Sequence, residues 1–183
     1  QARHWAGLFK GAMGEFDEAL RLIREAQALD PLTLAYRSDE AWVLFMAGRH
    51  ADAVNTAIDA ARYGARAFQP HRYLGMAHTM MGNFDAAIAA CVEAVRLEGG
   101  NSALLNAELA HTYARAGRKD DAGRQVADLL TRKRRSAYVS PYMLALVYTA
   151  AGDHEQAFDW LNAAFRERDN QMAWLKVDPR LDP

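Results

Sequence analysis

The chain has 183 residues, of which 51% are apolar and 25% charged, with a formal net charge of −1. That is enough apolar side chain for one globular domain or one solenoid. The near-neutral balance argues against a protein built to coat nucleic acid, and no apolar run reaches the roughly 18 residues of a membrane span.

Apolar spacing and glycine punctuation predict ten helices in five pairs. Residues 2–13 and 16–28 form the first pair, broken at Gly14, and Pro31 closes that unit. The next pairs are 34–47 with 50–63 around Gly48, and 67–80 with 84–97 around Gly82. Then come 102–116 with 119–134 around Gly117, and 138–151 with 154–167 around Gly152. Each of these glycines ends a first helix, because glycine tolerates the left-handed conformation found at helix C-termini. Asp17, Asp85, Asp120 and Glu155 open second helices, where negative side chains complement the helix dipole. A short last helix from 169 to 176 is expected to cap the array, with Met172, Trp174 and Leu175 over the apolar face that the fifth unit leaves open.

The five glycines are separated by 34, 34, 35 and 35 residues, and other positions repeat in the same register. Seven residues before each lie Gly7, Ala41, Gly75, Ala110 and Ala145, all small; five after lie Ala19, Ala53, Ala87, Ala122 and Ala157. Small side chains here let two helices approach closely. Nine after, Ile23, Cys91, Val126 and Leu161 supply bulk, with Ala57 the exception. Four before the glycine, Leu44, His78, Tyr113 and Tyr148 are large, and Lys10 departs. A helix–turn–helix period of about 34 residues is the signature of tetratricopeptide repeats.

The chain resembles the tetratricopeptide repeat family from about residue 2 to 168. The resemblance implies an all-α, right-handed α-solenoid of about five helix-turn-helix units with a short capping helix. The units run over about 1–33, 34–67, 68–102, 103–137 and 138–168, and the cap over 169–183, all as one domain. The run from Arg134 to Pro183 is also similar to the terminal repeat and cap of bacterial multidomain signalling proteins. The likeness lies in Tyr138-Val139-Ser140-Pro141 and in Trp174-Leu175-Lys176-Val177-Asp178-Pro179. In that group the repeats follow a winged-helix, Ser/Thr kinase or nucleotide cyclase domain. A chain that opens Gln-Ala-Arg-His-Trp and closes at Asp-Pro reads as a fragment of such a cytoplasmic protein.

In this family the first helices line a concave wall that binds protein or peptide segments. Residues at i, i+4 and i+7 share one helix face, which selects Ser38, Trp42 and Phe45, then Arg72, Met76 and Thr79. In the fourth unit the wall has His111 with Glu108 and Arg115 beside it, and in the fifth Tyr142. Aromatic and arginine side chains dominate interface energetics. Trp42 and Phe45 at helical spacing could equally contact only the adjacent helices. The paired Lys and Asn clamp with which some members hold a chaperone's C-terminal carboxylate is missing: the matching positions are His4, Leu8, Ser38, Trp42 and Arg72.

Other features read as structural. The basic run 132–135, with Arg118, Lys119 and Arg124, fits a helix C-terminus in solvent. Six scattered histidines suit packed rings rather than a metal site. Cys91, the single cysteine, excludes an internal disulfide and sits at a core position. Glu40 stands where its counterparts are Ala6, Leu74, Leu109 and Leu144, which calls for a local ion pair or hydrogen bond. His154-Glu155-Gln156-Ala157-Phe158 lacks the second histidine of a zinc-protease helix. No phosphate loop or nucleophile elbow occurs, so no catalytic residue, metal or cofactor is assigned, and the chain reads as non-enzymatic. A parent protein could carry a kinase or cyclase domain outside it. Two functions remain: a groove that binds a protein or peptide, or a self-associating spacer, a homodimer for example, favoured if Trp5, Phe9 or Trp174 lie exposed.

Overall fold

The structure, a computed structural model, describes residues 1–182. The first two units comprise α1 (Ala2–Ala12), α2 (Phe16–Leu29), α3 (Leu34–Met46) and α4 (His50–Tyr63). The next two comprise α5 (Phe68–Met80), α6 (Phe84–Leu97), α7 (Ala103–Arg115) and α8 (Lys119–Arg134), and the fifth α9 (Pro141–Ala151) and α10 (His154–Glu167). Two 3-10 segments follow, Asn170–Trp174 and Pro179–Leu181, and no strand occurs among the described residues. Each odd-numbered helix packs on the even-numbered one after it, and the odd-numbered helices also touch one another in succession. The result is an all-helical α-solenoid whose first helices form one wall.

The glycine register explains the hairpins. Gly14, Gly48, Gly82, Gly117 and Gly152 all have φ between +71° and +83°, where L side chains are strained. In each unit, small residues then let the two helices meet. A Cβ at Gly75 would lie 2.5 Å from Cys91 Sγ and 3.3 Å from the Ala87 carbonyl oxygen. Ala41, Ala110 and Ala145 occupy the same position in other units and are fully buried. Helix limits fall close to the sequence expectation except in the fifth unit, expected to start at 138. There Ser140 Oγ accepts from the Met143 amide at 3.2 Å, and Pro141 takes the first helical position, so α9 starts later.

The cap differs from expectation. Asp169 draws the chain off α10: its carboxylate accepts from Ser140 Oγ and from the Tyr142 amide at 3.1 Å. The segment after it is a short 3-10 turn: Met172 sits in the cluster that also holds Trp160, Leu161 and Ala164 of α10, as expected, but the chain then crosses the wall. Met172 and Leu181 join the apolar cluster around Leu129, Leu144 and Leu146, whereas Trp174 joins the cluster of the first units around Ile23, Val43 and Phe45. Leu175 stays partly in solvent, and Phe158 and Phe165 of α10 are 67% and 75% exposed. At the other end of the array, Trp5 and Phe9 of α1 are 66% and 65% exposed.

Candidate partner-binding groove

The wall is built by residues ten and nine positions before each turn glycine. His4, ten before its glycine, meets Asp39, nine before the next: His4 Nε2 lies 2.6 Å from Asp39 Oδ2. Tyr73 donates its hydroxyl to Asp39 Oδ1 at 3.4 Å. Arg72 and Glu108 repeat the first arrangement two units on. Arg72 Nε donates to both oxygens of Glu108 at 2.8 and 2.9 Å, and its Nη2 reaches Oε1 at 2.6 Å. This is a bidentate pair, the strong form of an ion pair, and both side chains are nearly buried. Deeper in the wall, the Thr79 and Thr112 hydroxyls are 2.9 Å apart.

Burial sets the chemistry of these groups. It raises the pKa of the Asp39 carboxyl, against the pull of His4, and raises that of the Tyr73 phenol. It pushes the Cys91 thiol up to about 12, so the sulfur is an inert core group beside Thr112. It pulls His111 down to about 3, with the Arg180 charge acting in the same direction. His111 is therefore a neutral imidazole at ordinary pH, and its Nε2, like Ser38 Oγ, is buried without a protein partner.

The final segment lies across this wall. Trp174 packs edge-on to Trp42, with centroids 5.1 Å apart, over Gly11, where a Cβ would be 3.3 Å from its ring. Asp178 and Arg180 form a second buried bidentate pair, Nε to Oδ1 at 2.8 Å and Nη2 to Oδ2 at 2.6 Å. Tyr142 donates its hydroxyl to Asp178 Oδ2 at 2.9 Å. Burial opposes ionisation of Asp178, but Arg180 outweighs it and the carboxyl titrates below its ordinary range. The Arg180 guanidinium lies 6.0 Å from the Trp42 ring centre and 5.7 Å from that of Phe45, within cation–π range. Arg72 lies 5.5 Å from the same Trp42 ring centre.

Of the residues expected to line an open groove, Ser38, Trp42, Phe45, Met76, Thr79, Glu108, His111 and Tyr142 are buried, Arg72 nearly so, and only Arg115 is exposed. All but Arg115 are held away from solvent, because the final segment covers part of the wall and one first helix packs on the next over the rest. A cleft of about 190 Å³ remains between segment and wall, bounded by Leu8, Asp39, Arg72, Tyr73 and Gln171 among others. Sequence reasoning missed Asp39, Tyr73, Asp178 and Arg180. The first two were available from the repeat register; nothing local marks the last two.

The remaining features resolve locally. Glu40 accepts from Arg24 Nε and Gln27 Nε2, both at 2.7 Å, which is the ion pair its position called for. In the basic run, Arg132 pairs with Asp128 at 2.6 Å and Lys133 with Glu167 at 2.9 Å, and upstream Arg118 pairs with Asp121 at 2.7 Å. Among the described residues no His, Cys, Asp and Glu cluster could hold a metal, and no helix is long and apolar enough to cross a membrane.

Residues 10–70 and, separately, 142–163 match models of tetratricopeptide repeats. Among solved structures, a thermophilic tetratricopeptide repeat protein from Thermus thermophilus is similar with a TM-score of 0.74 at 18% identity, covering 99% of this chain and 98% of that one. MamA is similar with a TM-score of 0.58 at 21% identity, over 91% of this chain and 96% of that one. YrrB, described as a TPR protein with an unusual peptide-binding site, gives 0.54 at 19% identity, over 95% and 89%. No curated protein is a significant match. Residues 10–70 and 142–163 thus carry tetratricopeptide repeats, and the chain shares the helical fold of these solved structures.

Proposed function

We propose that residues 1–183 form one continuous array whose concave wall holds a segment of another protein or of a neighbouring domain. One observation carries this reading: the wall already grips an irregular stretch of its own chain through Trp42, Phe45 and Tyr142. Such rigid aromatic groups on first helices are the kind of anchor that concentrates binding energy. The description of YrrB as peptide-binding lends the reading further support. Selection of displayed random peptides against the full chain tests it. Selected peptides are expected to slow hydrogen exchange in α3, α5, α7 and α9. Protection confined to the outer helices α2, α4, α6 and α8 overturns the groove as the site.

The finer reading is that the array is the regulatory part of a bacterial signalling or transcription-regulatory protein in the cytoplasm. It performs no chemistry itself and does not bind nucleic acid directly. The likeness of residues 134–183 to the tails of such proteins supports it. The coding sequence upstream of Gln1 is the test: a winged-helix, kinase or cyclase domain there is expected, and an unrelated enzyme or a secretion signal overturns it.

A second reading rests on the uncovered ends. Trp5 and Phe9 on α1, and Phe158 and Phe165 on α10, are large apolar side chains in solvent. Exposed apolar patches mark interaction sites, and two different ends meeting head to tail would space copies along a line. Sedimentation over a concentration range is expected to show association that Trp5→Asp plus Phe9→Asp abolishes; a monomer at every concentration removes this reading.

A further inference from the structure

We propose that the groove is a receptor for an irregular protein segment presenting a large aromatic residue, then a carboxylate four positions on and a guanidinium six positions on. Residues 169–182 are its resident occupant, and a partner segment of that chemistry displaces them. This rests on the groove reading above and specifies its ligand.

The spacing is that of Trp174, Asp178 and Arg180, and each has a built seat. Trp174 enters between Gly11 and Trp42. Asp178 takes the Tyr142 hydroxyl, and Arg180 sits against Trp42 and Phe45. Both charges are nearly sealed from water. A lone buried charge is costly, whereas a pair that reaches the wall together is tolerated, so a ligand must bring both signs.

The occupant is also removable. It has no helix longer than the five residues of Asn170–Trp174, and its middle, Leu175 and Lys176, faces solvent. Its fit is incomplete as well. Ser38 Oγ and His111 Nε2 remain on the wall without a protein partner, and an unmatched buried polar atom is a cost that a better ligand recovers. A groove filled from within binds an outside ligand more weakly in proportion to the fraction of time it is open.

The test is a fluorescein-labelled peptide of residues 168–182 titrated into the full chain, read by anisotropy. Wild type is compared with the Trp174→Ala plus Arg180→Ala variant, whose own segment has lost two of its three anchors and keeps Asp178 without its counter-charge. Saturable binding to the variant, at least about tenfold tighter than to wild type, is expected. The same two substitutions in the peptide should abolish it. Should the variant fail to fold by circular dichroism, wild type carries the test. Excess unlabelled peptide is then expected to speed hydrogen exchange at residues 170–181 while α1–α10 keep their protection. A folded variant that ignores the peptide, or wild-type exchange that does not change, overturns the proposal. So does a wild-type dimer that peptide converts to monomer, because the occupant would then be a second copy's tail. None of these outcomes touches the broader groove reading, which falls only if selected peptides protect the outer helices.

Discussion

Two buried ion pairs share the groove and differ in what happens when each is broken. Arg72–Glu108 ties α5 to α7 inside the wall, where the two side chains keep only 11% and 4% of their surface in solvent, and neither can leave with a detachable segment. Asp178–Arg180 lies wholly within the final segment, two residues apart, and can leave as a unit. The same chemistry is therefore structural in one place and detachable in the other. The damage from breaking a buried pair depends on whether the stranded charge has an exit.

Glu108→Ala should sharpen the contrast most. It strands the Arg72 guanidinium in the wall and is expected to lower global stability by about 3–5 kcal/mol in chemical denaturation. Arg72→Met with Glu108→Leu should restore most of that loss. A single-substitution effect under about 1 kcal/mol would mean that Arg72 finds water, and the contrast would fail. Arg180→Ala is expected to cost less than that full penalty, because Asp178 can leave with the segment. Hydrogen exchange should quicken at residues 170–181 and stay slow in α3, α5 and α7.

Gly75→Ala tests the hairpin interior, away from charge. Its Cβ would press on Cys91 Sγ and on the α6 backbone, so a loss of about 1–3 kcal/mol is expected, with tail exchange unchanged until global unfolding.

Acid should loosen the groove. His111 titrates at about 3 when folded and at its ordinary value when unfolded. Between those values the unfolded chain holds the extra proton. This contribution is therefore complete above pH of about 6.5 and declines as pH falls, by up to about 1.4 kcal/mol per unit. His50 and His78, lowered by burial, act with the same sign, and Asp39, raised by burial, acts against them. In His111→Leu the slope of stability against pH, between about 4 and 6, is expected to flatten; an unchanged slope would mean that the ring is hydrated.

The smallest effect is expected at Glu40, whose partner Arg24 is half exposed. Glu40→Leu should shift stability by no more than about 1 kcal/mol, since Arg24 can return to water. A larger loss would make this rim pair behave like Arg72–Glu108.

The hairpins were legible in the amino-acid order alone. Turn glycines, small contact residues and apolar spacing are local features. Their recurrence at a fixed period placed all ten helices of the described residues. The register also called for a partner to Glu40, which Arg24 and Gln27 supply. The path of the final segment was not legible in the same way. Trp174 had two apolar destinations, the end of α10 and the cleft beside Trp42, and composition does not choose between them. Asp169, bonded to the start of α9, turns the chain toward the groove, and the Asp178–Arg180 pair holds it there. These contacts join residues that no repeat relates, and their energies depend on burial, which exists only once the whole array has formed.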